Sequence, residues 1–310
     1  MAQPSTRLAE RTASSRRGRV RWGQAATIAG FLLPAALIYI GLVLLPVAQA
    51  VYYSFFRWNG LGPLQNFTGL ANYARALGDR VFIGALGNNL QLVVMSLLIQ
   101  LPLSLGLALL IRELTRGRAL LRTIFFLPFV LSEVITGVIW SFIYRPEGGL
   151  VNTLLQAAYP GLAKTALLAE PSTVLYALFV VITWKFFGYH MILYIAGLQN
   201  IPAEIEEAAS IDGCSRLQSL RYITLPLLSG TIRLSVYLSV LGSLQFFDLI
   251  WIMTKGGPVS ASDTMATYLY KFGFQRFQLG YGSAIAVIMF VICFSFSLIY
   301  QRVAMRRDFE

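Results

Sequence analysis

This sequence predicts an all-α, polytopic membrane protein with six transmembrane helices. Three observations lead there. Hydrophobic residues make up 56% of the chain and charged residues 13%, about half the charge of an average soluble domain; mean hydropathy is +0.65. Six apolar runs lie at about 27–52, 89–111, 121–143, 173–198, 228–253 and 280–301, each near the ~20 residues a helix needs to cross a ~30 Å hydrocarbon core. The arginines cluster at the termini and in alternate connections between those runs, which puts those clusters on one side of a six-pass topology.

Taken in order, residues 1–25 form a basic cytoplasmic tail carrying Arg7, Arg11, Arg16, Arg17, Arg19 and Arg21. Residues 26–56 form the first transmembrane helix. Its apolar run is too long for a signal peptide and no small-residue cleavage site clearly follows it, so it is expected to be retained. Residues 57–88 form an outer loop whose turns are marked by Trp58-Asn59-Gly60 and Gly62-Pro63. Its second half, Leu70 to Leu86, is expected as one short amphipathic helix on the outer surface.

The remaining five spans form a core at 89–302. Arg112, Arg116, Arg118 and Arg122 lie between runs two and three or in the first turn of the third, and Arg216, Arg221 and Arg233 lie between runs four and five or in the first turns of the fifth. Outer loops at 144–172 and 254–279 are broken by Pro146, Gly148, Gly149, Pro160 and Pro171, and by Lys255-Gly256-Gly257-Pro258. Arg302, Arg306 and Arg307 lead into a tail at 303–310. Both termini and both Arg-rich loops fall on one side, which the positive-inside rule assigns to the cytoplasm. The net charge of +11 is therefore a topology signal with membrane lipid as partner, and no nucleic-acid patch is expected. Cys214 and Cys293 imply no disulfide framework, and with His190 the sole histidine no metal site is expected.

The connection 199–227 is too rich in Ala, Glu and Leu to be a floppy loop. Pro202 suits a helix start. Glu204, Glu206 and Glu207 suit the first turns, where the helix dipole favours negative charge. Gly213 suits its end. Ile205, Ala208, Ala209 and Asp212 share one face at helical spacing. Small alanines let a partner approach the backbone, and Glu207 offers it a charge. A lipid-surface helix would instead carry Lys/Arg opposite bulky apolar residues. A second short helix through Leu217 and Leu220 leads to Pro226, which is expected to open the fifth span.

Glu207-Ala208-Ala209-x3-Gly213-x9-Ile223-x-Leu225-Pro226 matches the EAA signature of permease subunits in ATP-driven importers. Gly197-Leu198-Gln199-x-Ile201-Pro202, Ile211-Asp212-Gly213, Met253-Thr254-x-Gly256-Gly257-Pro258 and Gly69-Leu70-x-Asn72-Tyr73 are similar to the maltose and glycerol-phosphate permease group. Over about residues 27–305 the chain resembles the inner-membrane permeases of binding-protein-dependent sugar importers. The resemblance implies a type I ABC importer permease fold with no catalytic residues. It implies a second permease, two ATPase subunits that hold ATP and Mg, and an external solute-binding protein. It assigns ATPase coupling to Glu207, Ala208, Ala209, Asp212, Gly213, Ile223, Leu225 and Pro226. No phosphate-binding G-x-x-x-x-G-K-[ST] motif occurs in the chain itself, so no cofactor of its own is expected.

Charges within spans are costly and mark candidate sites. Glu133 and Lys185 fall at similar depths and are expected to pair, either to hold the bundle or to line a pathway. Asp248 is expected near interfacial water at the outer end of the fifth span. Aromatic faces with a few hydrogen-bonding groups suit sugars. Trp184, Phe186 and Tyr189 cluster in the fourth span, and Ser239, Ser243 and Phe246 share a face of the fifth. In the maltose permease the matching stretches line the sugar site, although Lys185 and Phe186 here replace small or apolar residues. His190 is expected as a hydrogen-bonded packing residue. The substrate expected first is a di- or oligosaccharide, then a glycerol-phosphate-type anion. A self-sufficient secondary transporter would show paired interrupted helices, which the sequence does not reveal. A membrane enzyme lacks a nucleophile–base motif.

Overall fold

The computed structural model describes residues 22–114, 116–161 and 164–305, with side chains from residue 27 onward. The expected tails at 1–25 and 303–310 fall largely outside those residues. The chain divides into two compact units between Tyr52 and Tyr53. The first contributes helix α1 (Thr27–Tyr53), which is apolar around its whole circumference and carries one wide π turn at Ile40–Leu44.

The second unit is all-helical among its described residues apart from one isolated bridge, Phe56 to Phe67. Its helices are α2 (Ala71–Gly78), α3 (Arg80–Glu113), α4 (Arg118–Val130), α5 (Glu133–Ile143), α6 (Leu150–Ala158), α7 (Val174–Gln199), α8 (Ala203–Ile211), α9 (Arg216–Leu227), α10 (Ser229–Leu244), α11 (Asp248–Thr254), α12 (Met265–Tyr270) and α13 (Leu279–Val303). Among the described residues of the whole chain, four helices are long and apolar enough to cross a membrane, and six spans result when each bent pair counts as one. Helix α7 is the hub. Buried side chains cover all its faces, from Val174 and Leu178 to Met191 and Leu198, as expected of a helix enclosed by others. Val181 packs with Leu249 and Ile250 in one cluster, and Met191 and Tyr194 pack with Ala108 and Leu228 in another.

The single outer-surface helix expected over Leu70–Leu86 is instead two pieces. Asp79 is extended and caps the second, accepting the backbone N–H of Val81 (2.7 Å) and Phe82 (3.4 Å). From Arg80 the helix continues without interruption into the second span, so that span begins nine residues before the expected start at residue 89. An Asp N-cap satisfies the orphan N–H groups of a first turn, and that local signal outweighs the polarity of the residues after it.

The third and fifth runs are not continuous helices. Between α4 and α5 the chain turns by 96°. Leu131 and Ser132 are both extended, and Ser132 caps α5 through Ile135 N–H (3.2 Å). In the fifth run α10 ends at Leu244 and α11 restarts at Asp248. Pro226 lies in the short last turn of α9, and the chain bends by 66° before α10 starts at Ser229. The sequence treats each of these runs as one continuous span, and both are broken in the structure. In both breaks the freed carbonyls are satisfied by side chains from other helices, the condition under which a membrane tolerates irregular backbone. Asn89 of α3 donates to Ser243 O (2.7 Å) and Leu244 O (3.2 Å) and accepts from Met265 N–H (2.9 Å). Lys185 of α7 serves the other break.

Candidate functional site

The connection between α7 and α10 folds as two short helices. Helix α8 follows an extended Pro202, with Glu204 and Glu206 in its first turn. Gly213 ends it at φ +79°. Cys214 N–H bonds to Ala209 O (2.9 Å) and Gly213 N–H to Ser210 O (3.1 Å), a Schellman closure that favours glycine at the left-handed position. Helix α9 opens with a capping box between Ser215 and Gln218.

Glu207, Ala208, Asp212 and Gly213 are exposed. Ala209 is not: it is 8% exposed and turned inward, which corrects the expected face. The reason is Glu206, three residues before it on the same side. Its carboxylate receives both terminal nitrogens of Arg112, at 2.8 and 2.6 Å, and the Thr224 hydroxyl at 3.2 Å. That fork ties α8 to the C-terminal end of α3 and to α9, and it fixes which side of α8 faces out. The outward face is completed by Ile211 (86% exposed), with Leu217 (73% exposed) on neighbouring α9. Ile223 and Leu225 are half-buried and Pro226 is exposed. From sequence Glu206 is only one of three first-turn acids, not an anchor. Its spacing with Ala209 hints at an inward stripe, but nothing local points to an arginine 94 residues away.

A cavity of about 220 Å³ lies among α3, α4, α7 and α10. Phe186, Tyr189, Ser239, Ser243 and Phe246 line it, so five of the expected path residues meet in one place. Phe129 stacks on Tyr189 at 4.8 Å between ring centres, and Phe186 meets Phe246 edge-on at 6.1 Å. Ser96 and Gln100 add polar groups that the sequence reading missed; they occupy a π turn within α3. Such turns recur at functional sites, but they leave no mark in hydropathy. His190 also lines the cavity, with Nδ1 at 2.8 Å from the Ser235 hydroxyl.

Glu133, Trp184 and Lys185 do not line it. Trp184 packs edge-on against Trp140 (5.5 Å). Lys185 is 2% exposed and its Nζ donates to the carbonyls of Leu131 (2.5 Å), Phe129 (3.4 Å) and Pro128 (3.5 Å), with Glu133 Oε1 at 3.6 Å. The expected pair therefore exists, but its strongest partners are the orphan carbonyls ending α4. Glu133 begins α5 at the break rather than sitting midway along a straight helix. Asp248 likewise starts α11, with an exposed side chain.

Residues 100–308 match the family model for the binding-protein-dependent transport system inner membrane component. A probable ABC transporter permease protein of Pyrococcus horikoshii is 38% identical over 84% of this chain and 90% of its own. The trehalose/maltose transport system permease protein MalF of Thermococcus litoralis is 31% identical over 89% and 93%. Crystal structures of a bacterial ABC transporter for the acidic polysaccharide alginate align with a TM-score of 0.81 at 25% and 24% identity, over 92% of this chain and 96% of theirs. In one of them the transporter is in complex with an alginate pentasaccharide-bound periplasmic protein. With two thirds of its length under that family model and a fold match over 92% of it, this chain belongs to the inner membrane components of binding-protein-dependent transport systems.

Proposed function

We propose that this chain is one of two permeases in an ATP-driven importer of a di- or oligosaccharide, with both termini in the cytoplasm. In this reading two ATPase subunits grip the permeases from inside, one of them through the outward face of α8, and supply all ATP and Mg chemistry. The chain itself is non-catalytic and holds no cofactor. An external solute-binding protein delivers the sugar, and closure of the ATPase pair rocks the permeases between inward-open and outward-open forms. The observation that carries this is α8: Glu206 anchors one side to Arg112, and Glu207, Ala208 and Ile211 are left free on the other. Force on that face reaches α3 through Arg112 and α9 through Thr224.

The substrate class is supported by the aromatic and hydroxyl lining of the cavity and by the trehalose/maltose and alginate systems among the similar proteins. An organic phosphate is the weaker reading, because Lys185 is turned away from the cavity into its own backbone cage. At about 220 Å³ the cavity is smaller than the roughly 300–1,000 Å³ of common ligand sites. Passage of an oligosaccharide therefore requires α7 and α10 to separate. The test is ATP-dependent uptake of a labelled oligosaccharide by the assembled importer carrying Ser239→Trp. The indole fills the cavity, so uptake is lost while ATP hydrolysis persists; unchanged uptake overturns the assignment of the path.

A further inference from the structure

A second cavity, of about 190 Å³, opens at the inner ends of three spans. Arg112 at the end of α3, Arg118 and Arg122 at the start of α4, and Gln199 at the end of α7 supply its polar groups, over a floor of Ile195 and Leu198. Arg112 is already neutralised by Glu206. Among the described residues no carboxylate pairs with Arg118 or Arg122. Among the described residues the Arg118 guanidinium donates only to the Leu114 carbonyl, and Arg122 Nε is a buried atom with no hydrogen-bond partner. Gly117, which precedes α4 with φ +78°, provides no side-chain cap for the first-turn N–H groups beside these arginines. A buried, unpartnered guanidinium nitrogen, uncompensated positive charge and a positive helix end are three independent calls for one anion.

We propose that this cavity binds the phosphate group of an anionic phospholipid of the inner leaflet. The placement favours a lipid: the cavity lies at the boundary plane where three spans end, and its floor is apolar, as in basic pockets between transmembrane helices that hold acidic headgroups. The inner-leaflet assignment rests on the orientation in the functional reading above; the anion site does not. Because Arg112 borders the cavity and also holds Glu206, the bound phosphate shares a guanidinium with the anchor of α8, so its occupancy tunes the link between the second span and the coupling helix.

The test uses the full chain in phosphatidylcholine nanodiscs titrated with fluorescent phosphatidylglycerol, with inorganic phosphate as competitor. Arg118→Gln combined with Arg122→Gln weakens lipid binding by about thirtyfold, the equivalent of about 2 kcal/mol for two cations. Arg118→Gln alone, at an exposed position that does not threaten folding, weakens it about fivefold. Arg116→Gln, exposed and outside the cavity, leaves it unchanged. Displacement by millimolar inorganic phosphate identifies a soluble anion as the competing source at the same arginines; resistance to it identifies the lipid. Equal binding by the double variant, or equal loss in Arg116→Gln, overturns the site. Nanodiscs expose both leaflets, so an inverted topology leaves these results intact, and asymmetric labelling of vesicles then tests the leaflet by itself.

Discussion

Lys185 offers the sharpest test of how the broken third span is held. A plain ion pair tolerates exchange of its partners. This one does not, because three backbone carbonyls share the ammonium with Glu133. Lys185→Met strands those carbonyls and leaves Glu133 without its counter-charge. Removing one partner of a buried pair costs about 3–5 kcal/mol, and the 3% side-chain exposure of Lys185 puts it in that class. Glu133→Gln costs about 1 kcal/mol or less, because Glu133 is 30% exposed, its contact is longer, and Lys185 keeps its carbonyls. The double exchange, Glu133→Lys with Lys185→Glu, brings a carboxylate against carbonyl oxygens and is at least as destabilising as Lys185→Met. The assay is denaturant titration of the purified chain in mixed micelles, followed by loss of helicity. An exchange variant that returned to within about 0.5 kcal/mol of the parent would refute the cage and leave only a simple pair.

Gly188→Ala tests the packing of α4 against α7. An added Cβ would sit 1.9 Å from the Phe125 carbonyl oxygen, so the two helices must part, at about 1–3 kcal/mol; parent-like stability in the same titration would contradict that contact. Asp79→Asn tests the lock at the start of α3. Burial raises the Asp79 carboxyl, but the Tyr268 hydroxyl, the Val81 and Phe82 N–H groups and Arg75 outweigh it and hold the pKa below its usual 3.8. A depressed carboxyl stabilises the fold above its unfolded value, and that stability is lost as pH falls through the folded value. The parent therefore melts above Asp79→Asn at neutral pH, and the gap closes only below about pH 4. A gap that closes nearer pH 6 would show that the carboxyl is not depressed.

Much of the fold is legible in the sequence because hydrophobic runs report length and burial directly. The fourth and sixth runs lie within two residues of α7 and α13. Pro202 and Gly213 set the bounds of α8 through local backbone rules. The breaks are another matter. Leu131-Ser132 and Gln245-Phe246-Phe247 contain no glycine or proline, and the polar residues at them, Ser132-Glu133 and Gln245 with Asp248, are too few to end an apolar run. What permits them is remote: Lys185 sits 54 residues from Leu131, and Asn89 sits 154 from Ser243. Ala209 shows the same limit, since the side of α8 that faces inward is chosen by Arg112, on another helix.

In the proposed importer α8 carries force from a separate ATPase into a bundle that cannot power itself. The most direct measurement places a cysteine at Ile211, 86% exposed on that face, and cross-links it to single cysteines on the ATPase subunit of the assembled importer. The expected result is efficient capture, a yield that changes when ATP binds, and loss of sugar uptake once the link has formed. No capture from any cysteine pair, together with uptake by this chain when the ATPase is left out, would contradict it.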